Sequence, residues 1–428
     1  MGTTTTETRV LLHRHRPFVL LCAEQVASSV GRQITALALT LLAVTGLGTG
    51  PFGAATLLAL TYLPGAVLSP LAGALVDRVR LRRLLVTVTA LQTLIVASVP
   101  LAGAVGHITL PHLYAVAVVS GTLTFTLSIA LQAALPRVVA SERLLGANSA
   151  LTAARTSGQI GGPAPGGVLV GLLGADTALV AGSAAYAVEA LFLLALPAAL
   201  NHPVGAGKSA GVKSLTAELG KGLEVVRAEH RLRRMVLAGA GLNLGSGAAA
   251  ALYVLYASRD LALPAWQLGA TYAAYSAATL VGAMVAGRFG KAAGLWRATQ
   301  LFGVGAGAAV FLIPAASLGL AFPVLLAYQV CYGITGTVWM ISMTTAQQLV
   351  TPEGMRGRVA GLVQAVLLAT VPVGALAGGA LAAWFGTVPV LTGSAVVALL
   401  AAATLWASGS PPPVQSGLTQ RRQWFSRR

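Results

Sequence analysis

The chain has 428 residues, of which 56% are hydrophobic and only 9% charged, with a mean hydropathy of +0.79 and a formal net charge of +17. A water-soluble protein carries about 25% charged residues, so this chain cannot clothe a globular surface in water, and most of it must face lipid. The positive charge is then not the footprint of a nucleic-acid-binding domain but lysines and arginines kept on one side of a membrane.

A bilayer core is crossed by helices of about 20 apolar residues. The long Ala/Leu/Val/Gly runs lack the alternating polarity that barrel strands need. Residues 1–16 are polar and basic and read as a cytoplasmic tail. The apolar run 17–43 is too long for a signal-peptide core and is expected to stay as the first span. Further spans are expected at 51–76, 83–105, 112–136, 145–173, 177–200, 235–257, 266–288, 294–319, 321–345, 358–386 and 388–407. The fold class is therefore all-α integral membrane, with twelve transmembrane helices in two parallel six-helix bundles at 17–200 and 235–407. Cys22 and Cys331 fall in different apolar runs and read as free thiols.

The loops support this count. With the N-terminus inside, the inner loops hold Arg78, Arg80, Arg82, Arg83, Arg137, Arg143, Arg288, Lys291, Arg297, Arg356 and Arg358, whereas the outer loops hold only Arg259, beside Asp260. This is the positive-inside asymmetry, and it places both termini in the cytoplasm. The connection 201–234 adds further lysines and arginines. From Ser214 to Arg234 it reads as an amphipathic helix, with Leu215, Leu219, Leu223 and Val226 on one face, lying on the inner membrane surface between the bundles or binding a partner. The tail 408–428, with Pro411–Pro413 and terminal arginines, is expected to be disordered and cytoplasmic.

Two motifs recur at nearly one offset. Gly73-Ala-Leu-Val-Asp77-Arg78-Val-Arg-Leu-Arg82-Arg83 returns in degraded form from Ala283 to Lys291, a shift of 210 positions. Gly162-Pro163-Ala-Pro-Gly166-Gly167, followed by Gly174, returns as Gly374-Ala-Leu-Ala-Gly378-Gly379, followed by Gly386, a shift of 212. Such a repeat says that the chain is two similar halves, a known transporter plan with the substrate path between them.

On these motifs the chain resembles the major facilitator superfamily of transporters over residues 15–407. The first motif is similar to the family's loop pattern Gly-x-x-x-Asp-Arg-x-Gly-Arg-Arg. Gly73, Asp77, Arg78 and Arg82 match it, Arg80 and Leu81 depart from it, and Arg83 closes the run. In the family this loop engages the other half and gates the inner side. Gly158-x-x-x-Gly162-Pro163-x-x-Gly166-Gly167 resembles the helix 5 motif of the family's antiporters, which are exporters. Small residues let helices approach closely, and prolines bend them. Leu135-Pro-Arg-Val-Val139 with Asn148-Ser149, and Val350-Thr-Pro-Glu-Gly-Met-Arg356-Gly-Arg358, resemble the branch of enterobactin-exporter-like and macrolide-efflux-like pumps. Unlike many exporters, the chain has no arginine in 121–128 of the fourth span.

Ionisable residues inside the membrane are costly and default to function. They are Glu24 and Arg32 in span 1, Arg155 in span 5 and Glu189 in span 6. Eight residues separate Glu24 from Arg32, about 80° around a helix, so both face broadly one side. Glu24 is the expected proton carrier, with Arg32 or Arg155 tuning it, and Arg32 bears on substrate charge. The competing reading leaves Glu24 snorkelling or paired structurally, and Glu189 capping the packing of spans 5 and 6. Tyr253 and Tyr256 are expected in an interfacial belt. Tyr272, Tyr275, Gln329, Tyr332, Asn243 and Trp339 could line a cavity for an amphipathic or aromatic ligand, and packing explains each of them singly.

The reaction classes left out are equally informative. No His-x-x-x-His pair, nucleophile motif or paired intramembrane acids are evident. His107 and His112 share one outer loop without further metal ligands, and no Gly-x-x-x-x-Gly-Lys-Ser/Thr loop binds ATP. The chain therefore reads as no enzyme, with no cofactor and no metal. Its expected partners are a small-molecule substrate, protons as coupling ion and the lipid bilayer. The expected function is efflux of a small amphipathic organic compound (a drug, antibiotic, siderophore or other secondary metabolite) by proton antiport. It would work as a monomer in a bacterial inner membrane. The alternatives are an importer of a small nutrient or a non-transporting receptor on the same fold.

Overall fold

A computed structural model describes residues 15–68, 80–140, 143–197, 200, 220, 222–352 and 355–406, and among them there is no β-strand. The helices of the first half are α1 (Arg16–Leu41), α2 (Pro51–Leu68), α3 (Leu81–Ala104), α4 (Leu110–Val138), α5 (Leu144–Gly161), α6 (Pro163–Leu173) and α7 (Ala175–Leu194). Those of the second half are α8 (His230–Leu255), α9 (Ala265–Ala292), α10 (Leu295–Ala309), α11 (Ala321–Val350), α12 (Arg356–Phe385) and α13 (Thr387–Ala403). Among the described residues nine helices are long and apolar enough to cross a membrane. Pro51–Val67 and Thr387–Ala403 are shorter apolar helices, and the expected fifth span is divided at Gly162 into α5 and α6. These three stand where the remaining spans were expected, and the all-α membrane architecture holds.

The break at Gly162 follows from the sequence. Pro163 has no backbone N–H to donate and takes the first position of a new helix. The seventh span begins five residues earlier than expected, at His230. Glu229 has an extended backbone and its side chain accepts a hydrogen bond from the Arg231 N–H at 3.3 Å, so it caps α8. This cap separates α8 from the short helical stretch 222–228, so the described part of the expected amphipathic helix ends before Glu229. Val225 and Val226 of that stretch are buried in the core of the second half, whereas Leu223 is exposed.

The internal repeat is visible in the packing. In the first half α1 packs on α5 and α7, α3 on α4 and α7, and α2 on α4. In the second half α8 packs on α12 and α13, α10 on α11 and α13, and α9 on α11. Position for position these are the same pairings. Small features repeat too. α1 ends in a π-helical turn at Leu42–Gly46 and α8 in another at Tyr256–Asp260. Gly174 and Gly386 start the last helix of each half with φ of 87° and 85°. That left-handed backbone favours glycine.

The halves meet through two interfaces that the repeat exchanges: α2 against α12, and α6 against α9. Both involve the helix ends remote from the chain termini, around Pro51–Ala55, Gly167, Ala265–Gly269 and Gly379. At the same end Arg259 donates to the Val44 carbonyl across the halves.

Candidate functional site

In the first half, the helix packing brings together acids that lie far apart in the chain. Glu24 of α1 and Glu189 of α7 are both 0% exposed. Their carboxyl groups sit against one another, and each is within electrostatic reach of Arg32. Gln25 Nε2 donates to Glu24 at 3.1 Å, and Thr89 of α3 donates to Glu189 Oε1 at 3.4 Å. Full burial rules out snorkelling for Glu24. Glu189 faces α1 and α3, so it does not cap packing between the fifth and sixth spans. Paired intramembrane acids, which the linear sequence did not reveal, are therefore present.

Arg32 forms no ion pair with either acid among the described residues. Its guanidinium donates to Ser28 Oγ at 2.5 Å and Ser29 Oγ at 2.8 Å. These serines lie one turn back on the same helix, at the i−4 and i−3 positions where side chains meet. So held, Arg32 reaches the acids on one side and lines a recess on the other. The recess has a volume of about 220 Å³ and is walled by α1, α4 and α5. Gln25, Arg32, Gln132, Asn148 and Arg155 contribute its polar groups, and Leu127, Leu131, Leu135 and Leu151 its apolar wall. It lies toward the end of the bundle where α4 stops and α5 starts.

The second half contributes aromatic groups. Tyr272, Tyr253, Tyr328, Tyr332 and Tyr275, in that order, form a chain of rings with successive centroids 5.6 to 6.3 Å apart. Tyr62 of α2, in the other half, acts electrostatically on Tyr272, Tyr275 and Tyr332. The expectation of an interfacial belt fails for Tyr253 and Tyr256. They are 2% and 1% exposed, and their hydroxyls donate inward to Thr271 Oγ1 and to the Pro314 carbonyl. Buried tyrosines need such acceptors.

Of the other candidates, Asn243 donates to the Leu367 carbonyl at 2.9 Å and ties α8 to α12. Gln329 is buried beside Tyr253. Trp339 is buried against Gly239 and Gly303, and its indole N–H has no partner among the described residues. Gly73, Asp77 and Arg78 lie outside the described residues. Arg82 Nη2 donates to the Leu194 carbonyl at 2.5 Å and so binds the start of α3 to the end of α7. His112 lies within α4, bonded to Ser98 at 2.9 Å, rather than in a loop with His107.

The glycine motif has a division of labour. A Cβ on Gly158, Gly162 or Gly166 would meet α1 within 2.6 to 3.2 Å, whereas one on Gly167 would meet Ala265 O of α9 at 2.6 Å. The repeat copies this: Gly374 and Gly378 press on α8, and Gly379 presses on Ala55 of α2. The glycines thus close each bundle on its own first helix and then seal the two halves together.

The sequence reading missed Ser28, Ser29, Thr89, Gln132 and Tyr62. Ser28 and Ser29 carried a signal, their spacing before Arg32. The others carried none, because only tertiary packing places them.

The family model described as Major Facilitator Superfamily matches residues 21–369. Among the curated proteins none matches this chain. Among solved structures the chain is similar to a bacterial homologue of the iron transporter ferroportin in an inward-facing state, with a TM-score of 0.69 at 17% identity, over 92% of this chain and 99% of that one. A bacterial metal transporter gives a TM-score of 0.66 at 17% identity over 92% and 99%. The nucleoside transporter NupG gives 0.66 at 14% identity over 91% and 98%. At these identities the likeness is one of fold.

Proposed function

Because the chain belongs to the major facilitator superfamily, whose members are transporters, we propose that it exports a small amphipathic organic compound by proton antiport with alternating access. The observation that carries export is the α5–α6 glycine motif, which resembles that of the family's antiporters and packs Gly167 against α9. The Glu24–Glu189 pair is the proton site, since two carboxyl groups in contact can hold a proton between their oxygens. Charge asymmetry supports an orientation with both termini cytoplasmic, and the Ala/Gly/Arg-rich composition supports a bacterial inner membrane. The loop residues Gly73, Asp77, Arg78, Arg82 and Arg83 serve as the inner gate.

The test uses inverted membrane vesicles energised by respiration, with a ΔpH-quenched acridine dye and a panel of antibiotics, dyes and siderophores. Reversal of quenching by one compound, absent from vesicles lacking the protein, is the expected result. If no compound collapses the gradient, antiport over that panel is wrong.

A proton-linked importer is the second reading, and one observation favours it. Arg32 both lines the recess and acts on the acid pair. An anion at Arg32 and a proton on the pair would then stabilise each other's binding, by reciprocal linkage, and travel together. Uptake of labelled compound into right-side-out vesicles with an imposed inward proton gradient separates the two directions.

A further inference from the structure

We infer that the recess between α1, α4 and α5 receives the anionic group of the transported compound, held between the guanidinium groups of Arg32 and Arg155. This deepens the reading of the chain as a transporter, in whichever direction the compound moves, and rests on it.

Arg32 and Arg155 lie close enough to repel one another electrostatically. None of the twelve residues lining the recess is acidic. Among the described residues Arg32 hydrogen-bonds to two neutral serine hydroxyls and to neither acid. Arg155 has no hydrogen-bond or acidic partner among the described residues. Two guanidinium groups that form no ion pair among the described residues are costly to hold inside a membrane protein, and such groups face a cavity or a counter-charge. Here both face one recess, and the nearest acids are already turned toward each other. The charge missing from the recess is therefore negative.

The remaining walls narrow the class. Gln25, Gln132 and Asn148 carry amide N–H groups that can donate to an oxyanion, and guanidinium groups bind such groups bidentately. Leu127, Leu131, Leu135 and Leu151 offer an apolar surface beside it. A volume of about 220 Å³ is below the roughly 300–1,000 Å³ of a drug-sized pocket, so it suits a charged head with part of an apolar body. The substrate class is an amphipathic organic anion with a carboxylate or phosphate head.

The test uses the full-length protein in nanodiscs and three probes of one shape: 2-naphthoate, 2-naphthyl phosphate and neutral 2-naphthamide. Binding is read as the shift in thermal unfolding temperature across a concentration series. The expected result is stabilisation by naphthoate or naphthyl phosphate, whichever head fits, and none by naphthamide. Arg155→Gln should weaken anion binding at least tenfold without moving the unliganded unfolding temperature, and Arg155→Lys should restore part of it.

To keep a folding defect from deciding the matter, Arg155→Cys is made in a Cys22→Ser, Cys331→Ser background. Labelling it with a methanethiosulfonate bearing an ammonium group should rescue anion binding, and a sulfonate-bearing reagent should not. Equal stabilisation by the amide, no response to either anion, or equal rescue by both labels overturns the inference. Anion binding with no flux of any compound in the vesicle assays would leave the site standing and sink the transport reading. Flux of a neutral or cationic compound without anion binding would do the reverse.

Discussion

Gly167 of α6 and Gly269 of α9 meet backbone to backbone. A Cβ added to Gly167 would fall 2.8 Å from the Cα of Gly269, and one added to Gly269 would fall 2.9 Å from the Cα of Gly167. No flexible side chain is available to give way, so the helices themselves must move apart. Inserting a methyl into packing of this density costs about 1–3 kcal/mol. That cost falls on the state sealed at the end remote from the termini and is absent from a state in which that seal is open. Gly167→Ala and Gly269→Ala should therefore raise the population of the opened state by roughly five- to a hundredfold at 1.4 kcal/mol per decade. Labelling of single cysteines placed at the seal, by a membrane-impermeant reagent added from that side, measures the shift. Unchanged labelling in both variants would show that this contact does not hold the seal.

The acid pair makes a separate prediction. If Glu24 and Glu189 hold the coupling proton together, neutralising either one removes the exchangeable site while leaving the recess intact. Glu24→Gln and Glu189→Gln should each reduce gradient-driven transport at least tenfold, while substrate exchange at equilibrium, which needs no net proton movement, persists. The pH dependence of transport should flatten in both. A Glu24→Gln variant whose transport keeps the wild-type pH profile would remove Glu24 from the proton path. A variant that loses exchange as well would point to a packing defect.

These two sites also mark how far the sequence could be read. The glycines were legible because their spacing is local. A helix face of Gly158, Gly162 and Gly166 announces close packing whatever lies opposite, and the repeat at Gly374–Gly379 announced that it happens twice. Glu24 and Arg32 were legible as charges too costly to be accidental. Their geometry was not legible. The partner of Glu24 lies on the last helix of the same half, and nothing in the linear spacing selects α7 over α5 as its neighbour. Tyr253 and Tyr256 misled for a related reason. A tyrosine near a helix end fits an interfacial belt unless the hydroxyl acceptors, Thr271 and the Pro314 carbonyl, are already known to sit behind it.

Arg259 tests the seal from the loop side. It was the only arginine expected in the outer loops, and it crosses to the Val44 carbonyl of the other half, beneath the turn at Gly48. A hydrogen bond from a charged donor contributes about 1.5–3 kcal/mol when it is well sheltered, and this one is only part-buried. Arg259→Ala should open the seal about tenfold, and Arg259→Lys should recover part of the closure. Because Arg259 lies away from the Arg32–Arg155 recess, naphthoate affinity measured in the sealed state should not change. Opening measured by the cysteine assay without loss of that affinity would separate gating from binding.

Trp339 separates packing from ligand contact. Its indole fills the space beside Gly303, where a Cβ would meet the ring at 2.8 Å, and it touches the line of Gly239. The indole N–H is buried and has no acceptor among the described residues. A buried unpaired donor costs about 1–3 kcal/mol. Phenylalanine lacks that donor but leaves a smaller ring in the same space, a loss of packing of similar size and opposite sign. Trp339→Phe should therefore leave the unfolding temperature within a few degrees of wild type, whereas Trp339→Ala should cost about 3–5 kcal/mol of stability and lower that temperature strongly. If the tryptophan serves packing alone, transport by Trp339→Phe stays within twofold of wild type. If the free N–H waits for a substrate acceptor, the same variant keeps its stability and loses substrate affinity about tenfold. Thermal unfolding and transport measured on that one variant distinguish the two roles, because only a ligand contact moves the second measurement without the first.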